Sequence, residues 1–174
     1  MKNEKTFKAL VIVGIIVATV SLSIAYAAFS TLLTINGTAT VKGNSWSVHY
    51  DSTSVTATPS GSATSVSAEV SASTTDFQFD VNLLKPGDSI VYTVDVVNDG
   101  LIDATLSTIT PLSVTGAGAS LVTATLTGVT EGETLAVNGT KTVTITVTYN
   151  ASTTVVPTTD TTATISGSLL YEQA

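Results

Sequence analysis

His49 is the only histidine in the chain, and a lone imidazole needs a convergent carboxylate or hydroxyl to act as a general base or metal ligand. Its one such neighbour in sequence is Asp51. The stretch SWSVHY alternates, with Trp46, Val48 and Tyr50 on one side, so His49 falls on the polar face and reads as a solvated strand residue. There is no cysteine and no arginine, which excludes disulfides, thiolate metal sites and the bidentate guanidinium clamp. No HExxH, GxSxG or phosphate-binding loop is written in the chain, so the motif-bearing hydrolases and nucleotide enzymes are excluded as well. Asp95, Asn98, Asp99 and Asp103 are oxygen donors of the kind calcium takes. They bracket an Asn-Asp-Gly turn without the spacing of an EF-hand loop, and Asx residues at turns bond their own backbone. Asn36, Asn138 and Asn150 head glycosylation triplets, which arise easily by chance in so threonine-rich a chain. The expectation is a protein with no catalytic residue, no cofactor and no metal: not an enzyme.

Strands must position whatever function remains. Threonine and valine are β-branched and stiff at χ1, which favours pleated surfaces. DFQFDVNL places Phe77, Phe79, Val81 and Leu83 on one face, and SIVYTVDVV does the same with Ile90, Tyr92, Val94 and Val96. TKTVTITVTY turns Val143, Ile145, Val147 and Tyr149 inward and its threonines outward. Shorter alternations occur at Val66, Ala68 and Val70, at Ile102, Ala104 and Leu106, in ASLVTATLTGV, and at Ala163, Ile165 and Leu169. Between strands lie turn signals: the KGN break at residues 42–44, the Ser/Pro/Gly-rich 51–64, LLKPGDSI and NDG. In LKPGD, Pro86 presets φ at the first corner position and Gly87 tolerates positive φ at the second, which is type II chemistry. About nine or ten turn-punctuated strands, with no amphipathic helix after residue 28, predict an all-β fold, an antiparallel β-sandwich or jelly roll.

The N-terminus reads as an address. MKNEKTFK is a basic head, ALVIVGIIVATVSLSI an uncharged apolar run, and Ala25 and Ala27 are the small residues of an A-x-A site. That order is a signal peptide over residues 1–27, cleaved between Ala27 and Ala28 during export by a signal peptidase. Two rival readings keep the apolar segment: an uncleaved membrane anchor, or a pilin-type leader that leaves residues 10–27 as a filament-core helix. Behind Ala27 only Lys42, Lys85 and Lys141 face twelve acids, a net charge of −9. A nucleic-acid binder needs the opposite sign, and membrane contact is expected only through the N-terminal segment before cleavage.

Directly behind that segment, AAFSTLLTINGTATV alternates over twice the length of an ordinary strand. Phe29, Leu33, Ile35, Ala39 and Val41 share one face; apart from Leu32, the other face is polar. Residues 28–41 are therefore expected to form an extended strand that precedes a sandwich domain at 42–174.

Three features together resemble the TasA/camelysin family of Gram-positive extracellular matrix proteins. They are the signal segment ending before the Ala28–Phe29 pair, the run VNLLKPGDSIVYTVDVVNDG with its Lys85-Pro86-Gly87-Asp88 turn, and the acidic, cysteine-free all-β body. The resemblance covers the leader and residues 28–106, and it implies a secreted jelly-roll subunit that polymerises into biofilm fibres at the cell surface. The protease activity ascribed to camelysin is not implied, since this chain has one histidine and no zinc motif. With that resemblance the long first strand acquires a use. A sandwich lacking one strand exposes an edge and an apolar groove, and a neighbour's N-terminal strand fills both. Because donor and acceptor surfaces differ, such a contact runs head-to-tail and makes a homopolymer. A strand folded back into its own sheet, and a monomeric adhesin or spacer, are the competing expectations.

Overall fold

The computed structural model describes residues 2–29, 33–154 and 156–174, with side chains described except at 2 and 23–29. The chain forms two compact units, Met1–Lys42 and Gly43–Ala174. Among its described residues the first contains one helix, α1, at Lys2–Phe29. Its apolar run holds no proline, and its Gly14 has open space around it, so nothing interrupts the i→i−4 ladder. The stretch Asn3–Leu22 is long and apolar enough to cross a membrane, a property that a signal sequence shares. Ala28 and Phe29, expected to open the extended strand, instead continue this helix; helix propagation costs little once a long apolar segment has nucleated it. Ser30–Leu32 lie outside the described residues, and residues 33–47 join neither helix nor strand.

The second unit contains ten strands among the described residues: β1 (Val48–Tyr50), β2 (Thr56–Ser60), β3 (Thr64–Val70), β4 (Phe77–Asn82), β5 (Ser89–Asn98), β6 (Ala104–Thr115), β7 (Val122–Thr127), β8 (Thr134–Leu135), β9 (Thr140–Tyr149) and β10 (Thr164–Gln173). All pairings are antiparallel. One sheet runs β1-β5-β9-β7, with β2 taking the stretch of β5 that β1 leaves free. Opposite it lie a β10-β6-β8 sheet and a separate β3–β4 hairpin.

Alternation decides which face of the first sheet is buried. Ile90, Tyr92, Val94 and Val96 of β5 pack with Val143, Ile145 and Val147 of β9 in the core, as the sequence predicts, and Tyr149 is buried at the end of β9. The outer face is threonine: Thr123, Thr125 and Thr127 of β7 stand across from Thr148, Thr146 and Thr144 of β9.

Two segments depart from expectation. Residues 51–64, expected as a loop, contain β2, which pairs with Thr93–Ser89 of β5. Every residue of β2 is exposed, so no alternation marks it, and Pro59 is tolerated because the strand lies on a sheet edge. In β3 the register slips between Ser65 and Ser67; Val66, expected inward, is left exposed while Ala68 and Val70 pack on the core. Such a slip moves a side chain to the opposite face.

Candidate functional site

Among the described residues the second unit has an open slot of about 420 Å³ between the two parts of the second layer. Its floor is the inner face of the first sheet, with Val94, Val96, Val143 and Ile145. One wall is the start of β4 with the two residues before it, where Thr75–Phe79 all line the slot; the other is β10, lined from Ile165 to Leu169 and again at Tyr171. Consecutive residues of both walls, not alternate ones, border it, so the strand edges themselves face the space. Each wall has a ladder partner on one side only: β3 for β4 and β6 for β10. Among the described residues the two edges do not pair with each other. Unpaired strand edges above an apolar floor are the kind of surface to which an extended chain can add.

Aromatic side chains close one end. Phe77 lies 6.4 Å from Tyr50 and 5.7 Å from Phe79, and Phe79 stacks on Tyr92 at 4.7 Å, centroid to centroid. The Tyr92 hydroxyl donates to the Asp80 carbonyl at 3.1 Å. Burial pushes the Tyr171 hydroxyl up to about 12, with Tyr50 and Glu133 adding to the shift. Burial, then Asp76, raises Tyr50. These phenols are therefore neutral, and the end of the slot carries hydroxyls on an apolar body.

Behind the β10 wall the ladder to β6 is irregular: its register slips between Ser166 and Ser168, opposite Leu112 and Pro111, and again between Leu170 and Tyr171, the extra residue lying in β6 each time. Proline has no N–H to give a ladder, which suits it to the slip. Gly167 sits at this point because a Cβ there would come 2.8 Å from Leu112 Cδ2 and 3.0 Å from the Thr110 carbonyl.

The residues singled out in the sequence fall in three places. Leu33, Ile35 and Val41 are 85%, 98% and 94% exposed, and Ala39 is exposed as well. The segment therefore presents its apolar residues to solvent. The side chains of Ala25, Ala27, Ala28 and Phe29 lie outside the described residues; their backbone is helical. Lys85, Pro86, Gly87 and Asp88 form the expected turn: Asp88 N donates to the Lys85 carbonyl at 3.0 Å and Gly87 has φ +95°. The Asp88 carboxylate, with its residue almost fully buried, accepts from Ser62 N at 2.8 Å, Leu84 N at 2.9 Å and Lys85 N at 3.0 Å. These amides, Ser62 foremost, hold its pKa below the usual carboxylate range, and the Lys85 ammonium adds to them. The turn motif is thus a structural clasp at the end of the sandwich.

The possible calcium donors do not converge. Asp95 Oδ1 accepts from Thr142 Oγ1 and Asp103 Oδ1 from Val137 N. Asn98 is fully buried, donating to the carbonyls of Ile102 and Leu135 and accepting from Gly100 N. Among the described residues no group of three His, Asp or Glu side chains could hold a metal ion. His49 borders the slot, and its Nε2 lies 3.7 Å from Asp99 Oδ2. That partner is fifty positions away and outside the reach of local reading. Sequence reasoning expected an apolar groove but not the strands that bound this slot, which lie nearly ninety residues apart.

No family model, curated protein or solved structure matches the chain.

Proposed function

We propose that this protein is a secreted structural subunit that polymerises into extracellular matrix fibres, residues 33–41 of one copy lying in the slot of the next. One pairing of features carries the reading: a single chain holds an exposed arm with apolar residues at every second position, and a slot bounded by two unpaired strand edges. The contact joins unlike surfaces, so it propagates without closing. On this reading the two layers are a jelly roll that a neighbour completes, the TasA/camelysin resemblance is real kinship, and no enzyme activity is present. Export and cleavage between Ala27 and Ala28 by a signal peptidase free the arm from α1.

Burying Leu33 and Ile35 contributes about 1.5–3 kcal/mol each. Ordering the arm costs about 1–2 kcal/mol per residue, so the apolar anchors hold it only together with main-chain bonds to a strand edge. Such a balance is sensitive to single changes. Leu33→Asp or Ile35→Asp places an unpaired charge in the slot and is expected to leave a folded monomer at concentrations where the parent forms fibres. Thr34→Asp, on the other face, interferes much less. Size-exclusion chromatography and electron microscopy read assembly, and circular dichroism on the same samples reads folding. Fibres persisting in Ile35→Asp exclude the arm as the connector, and an unfolded Ile35→Asp monomer points to an arm folded into its own domain.

One observation favours a second reading. Helix α1 runs through the cleavage point and is long enough to cross a membrane. If the segment stays attached, the sandwich is a surface domain on an anchor, or a pilin-like subunit keeping residues 10–27. The intact mass of the cell-surface protein separates these from a mature chain starting at Ala28.

A further inference from the structure

The direction in which an arm lies in the slot is fixed by where the arm leaves its own domain. Ser45 and Ser47 are tied to the β5–β6 turn, their carbonyls accepting from Leu101 N and Asp99 N at 2.9 Å each. The arm therefore departs from the end of the sandwich that holds the 98–101 turn. At that same end β4 begins and β10 finishes: Phe77 contacts Tyr50, whose register partner is Val96, and Gln173 pairs with Ala104 beside Leu135. At the opposite end β4 finishes near the Asp88 clasp, and β10 begins at Thr164, paired with Thr115. Hence β4 runs away from the departure end, β10 runs towards it, and the two walls are antiparallel to each other.

An arm between antiparallel walls must be parallel to one and antiparallel to the other. If two copies stack in the same orientation, the upper arm enters the lower slot at its Thr164 end and its tip reaches the aromatic end. That arm is antiparallel to β10 and parallel to β4. The reverse direction places residue 41 at the departure end. This happens when the arm doubles back into its own slot, or when two copies meet departure end to departure end and exchange arms. Both of those arrangements close. Direction is thus what separates an open fibre from a monomer or a swapped dimer.

Resting on the reading above, we propose that the arm of a second copy lies antiparallel to β10 with Leu33 beside Tyr171, Ile35 beside Leu169, Gly37 beside Gly167 and Ala39 beside Ile165. Antiparallel pairing gives the stronger ladder, and β10 is the wall that gains it. Gly37 meets the wall at Gly167, where the register to β6 slips and where Leu112 and Thr110 leave no room for a Cβ. Leu33 and Ile35, the two large residues, reach the neutral phenol of Tyr171 and the side chain of Leu169, both partly buried against the core. On the outer face this register sets Thr34 beside Leu170 and Thr38 beside Ser166, all exposed in the single subunit.

Because the chain has no cysteine, paired substitutions report direction without background. The mature full chain would carry Thr34→Cys with Leu170→Cys, or Thr38→Cys with Ser166→Cys, and be oxidised under fibre-forming conditions. Both are expected to give a ladder of covalent oligomers on a non-reducing gel. The exchanged pairs, Thr34→Cys with Ser166→Cys and Thr38→Cys with Leu170→Cys, are expected to stay uncrosslinked. Crosslinking of the exchanged pairs alone, stopping at a monomer or dimer, overturns the direction while keeping the arm in the slot. Fibres that form while none of the four variants crosslinks overturn the register, and peptide mapping with a photoreactive group at residue 35 then decides the slot itself. A label found outside β4, β10 and the slot floor defeats the underlying reading.

Discussion

Asp88 shows how much a single residue of a turn can carry. Its two carboxylate oxygens take three backbone N–H groups from two separate segments, 62 and 84–85, and its own carbonyl accepts from Tyr149 N at 2.8 Å. Asparagine keeps the shape but replaces one acceptor with an amide that faces donors, so Asp88→Asn is expected to lower Tm by several degrees at pH 7. The sign of its pH dependence follows from the pKa. The folded carboxyl titrates below its unfolded value, so its stabilisation is fully present above the unfolded value of about 3.9 and is lost as pH falls through the folded one. The gap in Tm between parent and variant should therefore narrow as pH drops below about 4. A gap that stays constant in thermal melts down to pH 2.5 would show that the charge is irrelevant to the clasp. This role was half legible in the sequence: Pro86 and Gly87 announce the turn, whereas the link from Asp88 to Ser62 is a tertiary contact.

At the scale of elements, the β3–β4 hairpin is the least tied part of the sandwich. It shares no ladder with either larger sheet among the described residues. What binds it is mainly side-chain packing: Phe77 and Phe79 on Tyr50 and Tyr92, and the Tyr92 hydroxyl on the Asp80 carbonyl. Phe79→Ala removes the closest of these contacts, at a cost of roughly 3 kcal/mol. Hydrogen exchange should then speed up in residues 64–82 far more than in β5 or β9, and arm capture should weaken because β4 is a wall of the slot. Uniform loss of protection across all strands would mean that the hairpin is not a separate unit. The strands themselves were readable wherever one face is buried, as in β4, β5 and β9, because period-2 alternation records burial directly. β2 was not, because an edge strand exposed on every residue carries no such record, and its Ser, Pro and Gly surroundings mimic a loop. Helix at Ala28 and Phe29 was missed for a related reason. Alternation from Phe29 onward predicts a strand, but in the uncleaved chain those two residues extend a long apolar helix, and cleavage is what would release them.

Charge acts on the molecule as a whole. Behind Ala27 the chain carries three lysines against twelve acids; of the lysines, Lys141 is already paired with Glu133. Each subunit added to a fibre of the proposed kind therefore brings about nine negative charges next to nine others, while the arm that joins them, residues 33–41, has none. Attraction by the arm is apolar burial and main-chain bonding, which simple salt scarcely weakens; repulsion between bodies is Coulombic and is screened. At 10 mM salt the screening length is about 30 Å, comparable to the length of a ten-residue strand, so whole neighbouring domains repel. At 150 mM it falls to about 8 Å, and only charges at the contact are felt. Raising sodium chloride from 10 to 150 mM is thus expected to lower the critical concentration for assembly and to shorten the lag in a light-scattering assay. The same change should leave the Ile35→Asp variant monomeric, since screening supplies no attraction of its own. Fibres that dissolve on adding salt would show that ion pairs, not an apolar arm, hold the subunits together.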